Sequence, residues 1–201
     1  MVRRSDPQTV QTDGPLDDAL RRARIGDEGG FAELWRELHP PLLRYLRVRS
    51  GTTYEDVAAE TWFQVVRDLS SFVGTADGFR AWVFTVARHR AVDMARAASA
   101  RPMLLVPDID ETTRHSTSAP AEVAALERIS TERALTIVAT LPPQQAEMVM
   151  LRVVAGLDVP VVARIVGKSP GAVRVSVHRG LRTLSGDARV QALRYESTEV
   201  V

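Results

Sequence analysis

Lys168-Ser169-Pro170-Gly171-Ala172-Val173-Arg174-Val175-Ser176-Val177-His178-Arg179-Gly180-Leu181-Arg182 is the stretch on which the fold turns. Ser169 is a good helix N-cap, and Pro170 suits the first helical position, where an N–H is not needed. At about 100° per residue, Val173, Val177, Gly180, Leu181 and Leu184 gather on one side of the helix that follows. The opposite side shows Gly171, Val175, Ser176, His178, Arg179 and Arg182, with Arg174 at its edge.

Immediately upstream, Asp158 stands where it can cap a short helix over Val159–Val166, with Pro160 in the permissive first turn and Gly167 closing it. An earlier, mostly apolar helix is expected over about 143–154, opened by Leu141-Pro142-Pro143 and ended by Gly156. A short helix, a glycine turn and a second helix with an apolar back and a basic front form a DNA-reading helix-turn-helix. Such a helix fits the major groove, with flanking cations on phosphates. Arg174, His178 and Arg179 are therefore expected near base edges or adjacent phosphates, and Lys168 and Arg182 on the backbone. Ser169, Gly171 and Ser176 belong to the same DNA-facing set. A helical hairpin that merely packs is the competing reading, although packing does not require one sign of charge across the exposed face.

Charge along the chain repeats the message. The 201 residues carry 26 basic and 25 acidic side chains, a net charge of +1. That near-zero sum hides two basic islands. Residues 79–101 hold Arg80, Arg88, Arg90, Arg96 and Arg101 against Asp93, and residues 168–182 hold Lys168, Arg174, Arg179 and Arg182 with no acid. Between them lie Asp108, Asp110 and Glu111 against Arg114. Clustered arginine attracts phosphate backbones, with ordinary solvated surface as the bland alternative. Cysteine is absent, and His39, His89, His115 and His178 are far apart, so no thiol chemistry, zinc ribbon or metal site is expected, and no cofactor. No long uncharged apolar stretch or apolar signal core is present, which makes the cytoplasm the expected location.

The first half reads as helices too. After a polar opening over 1–15, periodicity starts near Leu16, breaks at Gly26 and Gly29-Gly30, and resumes over Phe31–Arg49, where Pro40 and Pro41 predict a kink or two abutting helices. Thr53 is a possible N-cap, with Asp56 completing an imperfect capping box. The helix about Tyr54–Leu69 carries Val57, Ala58, Thr61, Trp62, Val65, Val66 and Leu69 on its apolar side, and Ser70–Gly78 reads as a loop. On the next helix, about Phe79–Ala98, Phe79, Val83, Val86 and Met94 form the buried side. Beside it run a Trp82, His89, Arg96 stripe and an Arg80, Phe84, Arg88 stripe. Aromatics interleaved with arginine suit opened nucleic acid, while Trp82 and Phe84 serve equally well as core residues. Arg90 and Asp93 are expected to form a structural ion pair.

The fold class is therefore all-α: two small helical domains joined by a flexible linker, the second containing a helix-turn-helix. The expected divisions are a tail over 1–15, a first domain over 16–100, a Ser/Thr/Pro-containing acidic linker over 101–121, a second domain over 122–195 and a tail over 196–201.

The order of these motifs resembles a known family. Tyr54-Glu55-Asp56-Val57-Ala58-Ala59-Glu60-Thr61-Trp62 is similar to the core-binding helix of bacterial sigma factors of the extracytoplasmic-function type, in the sigma-70 superfamily. Phe79-Arg80-Ala81-Trp82-Val83-Phe84-Thr85-Val86-Ala87-Arg88 looks like the adjoining promoter-melting helix. Leu141-Pro142-Pro143-Gln144-Gln145, Gly156-Leu157, Gly171-Ala172-Val173-Arg174 and Val177-His178-Arg179 resemble the carboxy-terminal DNA-binding domain. The resemblance implies a promoter-specificity subunit whose partners are the RNA polymerase core, through its beta-prime clamp and beta subunit, promoter DNA and an anti-sigma factor. It places Asp56, Glu60, Trp62 and Arg67 at the polymerase. Arg80, Trp82, Arg88, His89 and Arg96 fall on the minus-ten strand, and the capped helix from Pro170 on the minus-thirty-five element. Ala59, His89 and Val161 depart from the family's usual glutamine, asparagine and acidic residue.

Two other functions compete. An autonomous helix-turn-helix regulator would need only the second module, with a dimer interface or effector domain added. An enzyme would need a compact His–carboxylate arrangement, a G-x-S-x-G elbow or a phosphate loop, and the chain has none of these motifs.

Overall fold

The computed structural model describes residues 14–100 and 121–191. The expected tails and linker lie outside these residues, apart from their edges. Among the described residues the main α-helices are, in order, α1 (Pro15–Arg24), α2 (Glu28–Ser50), α3 (Tyr54–Asp68), α4 (Ala76–Ala100), α5 (Ala121–Val138), α6 (Pro143–Val149), α7 (Val159–Val166) and α8 (Pro170–Ser185). Short 3-10 turns over Gly51–Thr53 and Leu69–Ser71 flank α3. No strand occurs among the described residues, as the all-α reading expected.

The corner between α1 and α2 shows how local chemistry sets the packing. Asp27 caps α2, its carboxylate accepting from the Gly29 N–H at 2.7 Å and the Gly30 N–H at 3.1 Å. The glycine pair expected to break the helix thus forms its first turn. Gly30 is needed there because a Cβ would stand 2.7 Å from the Ala19 carbonyl oxygen and 2.9 Å from the Ala23 nitrogen. Pro40 and Pro41 lie inside a single helix of 23 residues rather than between two. Thr53 does not cap α3, since its hydroxyl donates to the Ser50 carbonyl at 3.1 Å. The loop before α4 is shorter than expected, and the helix begins at Ala76, where the Thr75 hydroxyl accepts from the Gly78 N–H at 3.2 Å.

Leu34, Leu42, Tyr45 and Leu46 of α2, Val57 and Val65 of α3, and Phe79, Val83 and Phe84 of α4 form the centre of the first helical group. Phe84 is fully buried and meets Tyr45 edge-on at 5.6 Å, which decides its role for packing. Val66, expected on the apolar side of α3, is 55% exposed.

In the second group, α8 crosses α6 closely at Gly180, where a Cβ would lie 2.8 Å from Val149 Cγ2. The expected helix over 143–154 is divided: α6 ends at Val149 and a π-helical turn covers Met150–Val154. Gly156 and Gly167, both expected to end helices, turn the chain in the left-handed conformation with φ of 69° and 67°. Leu151, Val162 and Val173 are fully buried, and the apolar cluster around them is continuous with that of the first group.

Candidate polymerase and nucleic-acid interfaces

Ser169 caps α8 through a 3.2 Å bond from the Ala172 N–H, and Pro170 occupies the first turn. Burial of Val173 and Gly180 fixes the rotation of the helix. Lys168, Ser169, Gly171, Arg174, His178, Arg179 and Arg182 are consequently exposed together, with Ser176 half-buried among them. This is the face the wheel assigned, and its four formal positive charges have no acid on the same helix. One expectation needs correcting: Leu181, placed on the apolar back, is 42% exposed. Asp158 also occupies the N-cap position of α7 without making a side-chain cap bond.

The basic helix α4 is less open. His89 and Arg96 are exposed, but Trp82 is half-buried in an aromatic cluster, 5.3 Å from Phe72 and 5.7 Å from Phe79. Arg80 donates to Glu37 of α2 at 3.2 Å. Arg90 makes two bonds to the Gln64 amide oxygen of α3, at 3.0 and 2.7 Å. The expected Arg90–Asp93 pair is replaced by this link because the guanidinium points across the α3–α4 interface.

On α3, Asp56, Glu60, Phe63 and Arg67 recur at threes and fours and are all exposed. Arg67 holds Asp68 through bonds of 2.9 and 3.3 Å, and this guanidinium keeps the carboxyl below its ordinary range. Trp62 stands apart from that stripe. It is 8% exposed, and its indole N–H donates to His39 Nδ1 at 3.0 Å, so it locks α3 onto α2 from inside. Phe63, which the sequence reading passed over, is 68% exposed and joins the acids on the outer stripe. A large apolar ring flanked by acids is suited to a protein partner. Its heptad relation to Asp56 was the signal that could have found it.

A second omission lies between the two helical groups. Glu147 of α6 is 8% exposed and accepts from Arg88 of α4 at 3.0 Å, Arg49 of α2 at 3.3 Å and the Tyr45 hydroxyl at 3.2 Å. Burial first, and then the neighbouring Glu147 charge, push the Tyr45 phenol far above its ordinary range, so it stays a donor. Leaving a buried carboxylate without its cations costs about 3–5 kcal/mol in comparable settings, so the partners are strongly coupled. The sequence signal was present: Glu147 is the only charged side chain from Leu141 to Leu151.

Residues 34–101 match the family description "Sigma-70 region 2", and residues 131–184 match "Sigma-70, region 4". The chain is 35% identical over 173 residues to the ECF RNA polymerase sigma factor ShbA of Streptomyces griseus subsp. griseus, covering 82% of this chain and 91% of that one. It belongs to the ECF sigma factors. The ECF RNA polymerase sigma factor BldN of Streptomyces coelicolor is 32% identical over 170 residues, covering 84% of this sigma factor but 64% of BldN. The structure of CnrH in complex with the cytosolic domain of CnrY shares the fold, with a TM-score of 0.56, 20% identity, and coverage of 90% of this chain and 98% of that one. Members of this family are promoter-specificity subunits, binding core RNA polymerase and promoter DNA in transcription initiation. The region 2 match contains most of α2 and all of α3 and α4, and the region 4 match contains the helix-turn-helix up to Leu184. No described helix is long and apolar enough to cross a membrane.

Proposed function

We propose that this sigma factor divides its work between two modules, 16–100 and 122–195. The first binds core polymerase and the opened minus-ten strand, and the second reads the minus-thirty-five duplex. The observation that carries the reading is the state of α8: Val173 and Gly180 are buried behind it while Lys168, Arg174, His178, Arg179 and Arg182 all face solvent. A helix presented this way can enter a major groove without unfolding its support.

Within the second module, Arg174, His178 and Arg179 read base edges or adjacent phosphates. Lys168 and Arg182 hold the backbone, and Ser169, Gly171 and Ser176 line the approach. In the first module, Arg80, Trp82, Arg88, His89 and Arg96 receive the melted strand, with cations on phosphates and aromatic surface under bases. Asp56, Glu60 and Arg67 contact polymerase, with Phe63 as an apolar anchor. Trp62 packs behind that stripe and ties α3 to α2. The chain performs no reaction of its own, since bond formation belongs to the polymerase, and it works in the cytoplasm. An anti-sigma factor is the further proposed partner, in keeping with the family.

Co-elution with purified core polymerase tests the first module. Wild-type chain co-elutes, whereas Asp56→Lys with Glu60→Lys is folded by circular dichroism and co-elutes weakly. Undiminished binding by the double variant overturns the assignment of that stripe. An autonomous regulator would instead footprint its operator without polymerase, on two-fold half-sites.

A further inference from the structure

We propose that Val175 is a specificity-determining residue of α8, which recognises the C5-methyl group of a thymine in the upstream duplex. The assignment rests on the minus-thirty-five reading proposed above and deepens it by naming the chemistry of one base. Val175 stands among the basic residues on the outer face of α8 and is 50% exposed. It lies two residues beyond the buried Val173, so at about 100° per residue it points away from the support of the helix. Gly171 one turn before it and Arg179 one turn after it are exposed along the same line. Arg174 and His178 flank it on one side and Arg179 on the other, which puts Val175 in the middle of the face.

The fold does not call for an apolar group there. Val177 packs against the apolar core, while Val175 is turned away from it. A β-branched side chain is also a poorer helix former than the arginines around it. A lone exposed valine is commonplace on a protein surface, and it is the company of this one that singles it out. The side chains assigned to DNA beside it, Lys168, Arg174, His178, Arg179 and Arg182, all donate hydrogen bonds. Gly171 supplies a second observation. Its φ is not positive, and a Cβ there would meet only Ser169 Oγ, at 4.0 Å, so neither backbone strain nor crowding demands glycine. A bare position on the outer line lets another surface approach closely, and the short side chain of Val175 is next along it.

The major groove offers one apolar group. Base-pair edges there consist of hydrogen-bond donors and acceptors, except for the C5-methyl of thymine. Arginine pairs with guanine through O6 and N7, and neither Arg174 nor Arg179 has chemistry that selects a methyl group. Val175 between them can bury its own methyl groups against that of thymine and release the water from both. Over another base it would cover a polar edge without hydrogen-bonding to it, which is unfavourable. One side chain thereby both selects thymine and rejects its competitors. The thymine it reads belongs among the base pairs that Arg174 and Arg179 contact, because the three residues lie within two turns of α8.

Replacing thymine by uracil removes the C5-methyl group and keeps the base pairing, so it tests this contact alone. Core polymerase with the full-length chain is supplied with two barcoded promoter libraries randomised across the upstream element, one of them carrying uracil for thymine within that element. Wild type is expected to favour thymine at one upstream position and to lose roughly fourfold of that preference with uracil, the worth of one methyl group taken from water. With Val175→Ser the two libraries are expected to agree within about twofold at that position, whereas Val175→Ile keeps the difference. Circular dichroism checks folding, and should Val175→Ser fail to fold, Val175→Thr exchanges one methyl group for a hydroxyl at nearly the same volume and is expected to reduce the difference. If upstream positions are enriched but none responds to uracil, or if the response survives in the folded Val175→Ser chain, the assignment of Val175 is overturned and the upstream reading stands. If neither library is enriched upstream with wild type, the reading of α8 fails and the assignment falls with it.

Discussion

The indole N–H of Trp62 donates to His39 Nδ1 at 3.0 Å, which turns this tryptophan inward and leaves its neighbour Phe63 to face solvent. The two adjacent aromatics therefore have opposite tasks. Trp62→Phe is expected to lower folding stability by about 1 kcal/mol through the lost hydrogen bond, with core affinity unchanged. Phe63→Ser is expected to leave stability within about 0.5 kcal/mol and to weaken core binding. Urea denaturation and polymerase titration of both variants check the pair.

Gly180 sets how closely α8 approaches α6. With a Cβ only 2.8 Å from Val149 Cγ2 and 3.4 Å from Leu141 Cδ1, Gly180→Ala is expected to cost about 1–3 kcal/mol. Gly186→Ala is the control, because its Cβ would meet no atom nearer than 3.7 Å, and it should shift stability by less than about 0.5 kcal/mol. Thermal denaturation monitored by circular dichroism measures both.

The difference between these sites also explains what was legible before the structure. Ser169, Pro170, Gly156 and Gly167 act through their own backbone and nearest turns, so the helix-turn-helix and its exposed basic face could be read from sequence. Thr53 was misread because its hydroxyl is used by the preceding 3-10 turn, and Asp27 was overlooked because the following glycines resemble a break. Val66 and Leu181 lie at the edges of their apolar stripes, where only tertiary packing decides exposure. Phe84 is in the core, a role that helical spacing alone left open. Glu147, Gln64 and Glu37 find partners on other helices; the uncharged run around Glu147 marks it for burial, but no local pattern names the partner of any of the three.

Base reading and backbone anchoring should separate by mutation. Arg174→Ala or Arg179→Ala is expected to change the preferred upstream sequence, with a discrimination loss of about 1–3 kcal/mol per contact. Lys168→Ala should weaken all promoters alike and reduce the salt dependence of binding. Competitive transcription from a mixture of upstream-element variants, at two salt concentrations, distinguishes these outcomes.

Acid should loosen the corner between α1 and α2. The Gly30 and Gly29 N–H groups hold the Asp27 carboxyl below its ordinary range, so its stabilising effect is present above the unfolded carboxylate range and fades as pH falls through the folded value. Asp27→Asn retains a capping oxygen that does not titrate. Between pH 6 and pH 3 the melting temperature of wild type is expected to fall more steeply than that of Asp27→Asn. Parallel curves would remove Asp27 from the acid response.

Initiation by purified core polymerase on a library randomised across the whole promoter tests the division of labour most directly. With this chain added, transcripts should come from templates enriched at two separated elements, and Arg174→Ala or Arg179→Ala should alter only the upstream one. Enrichment of a single two-fold operator bound without polymerase, or no transcript above core alone, would contradict it.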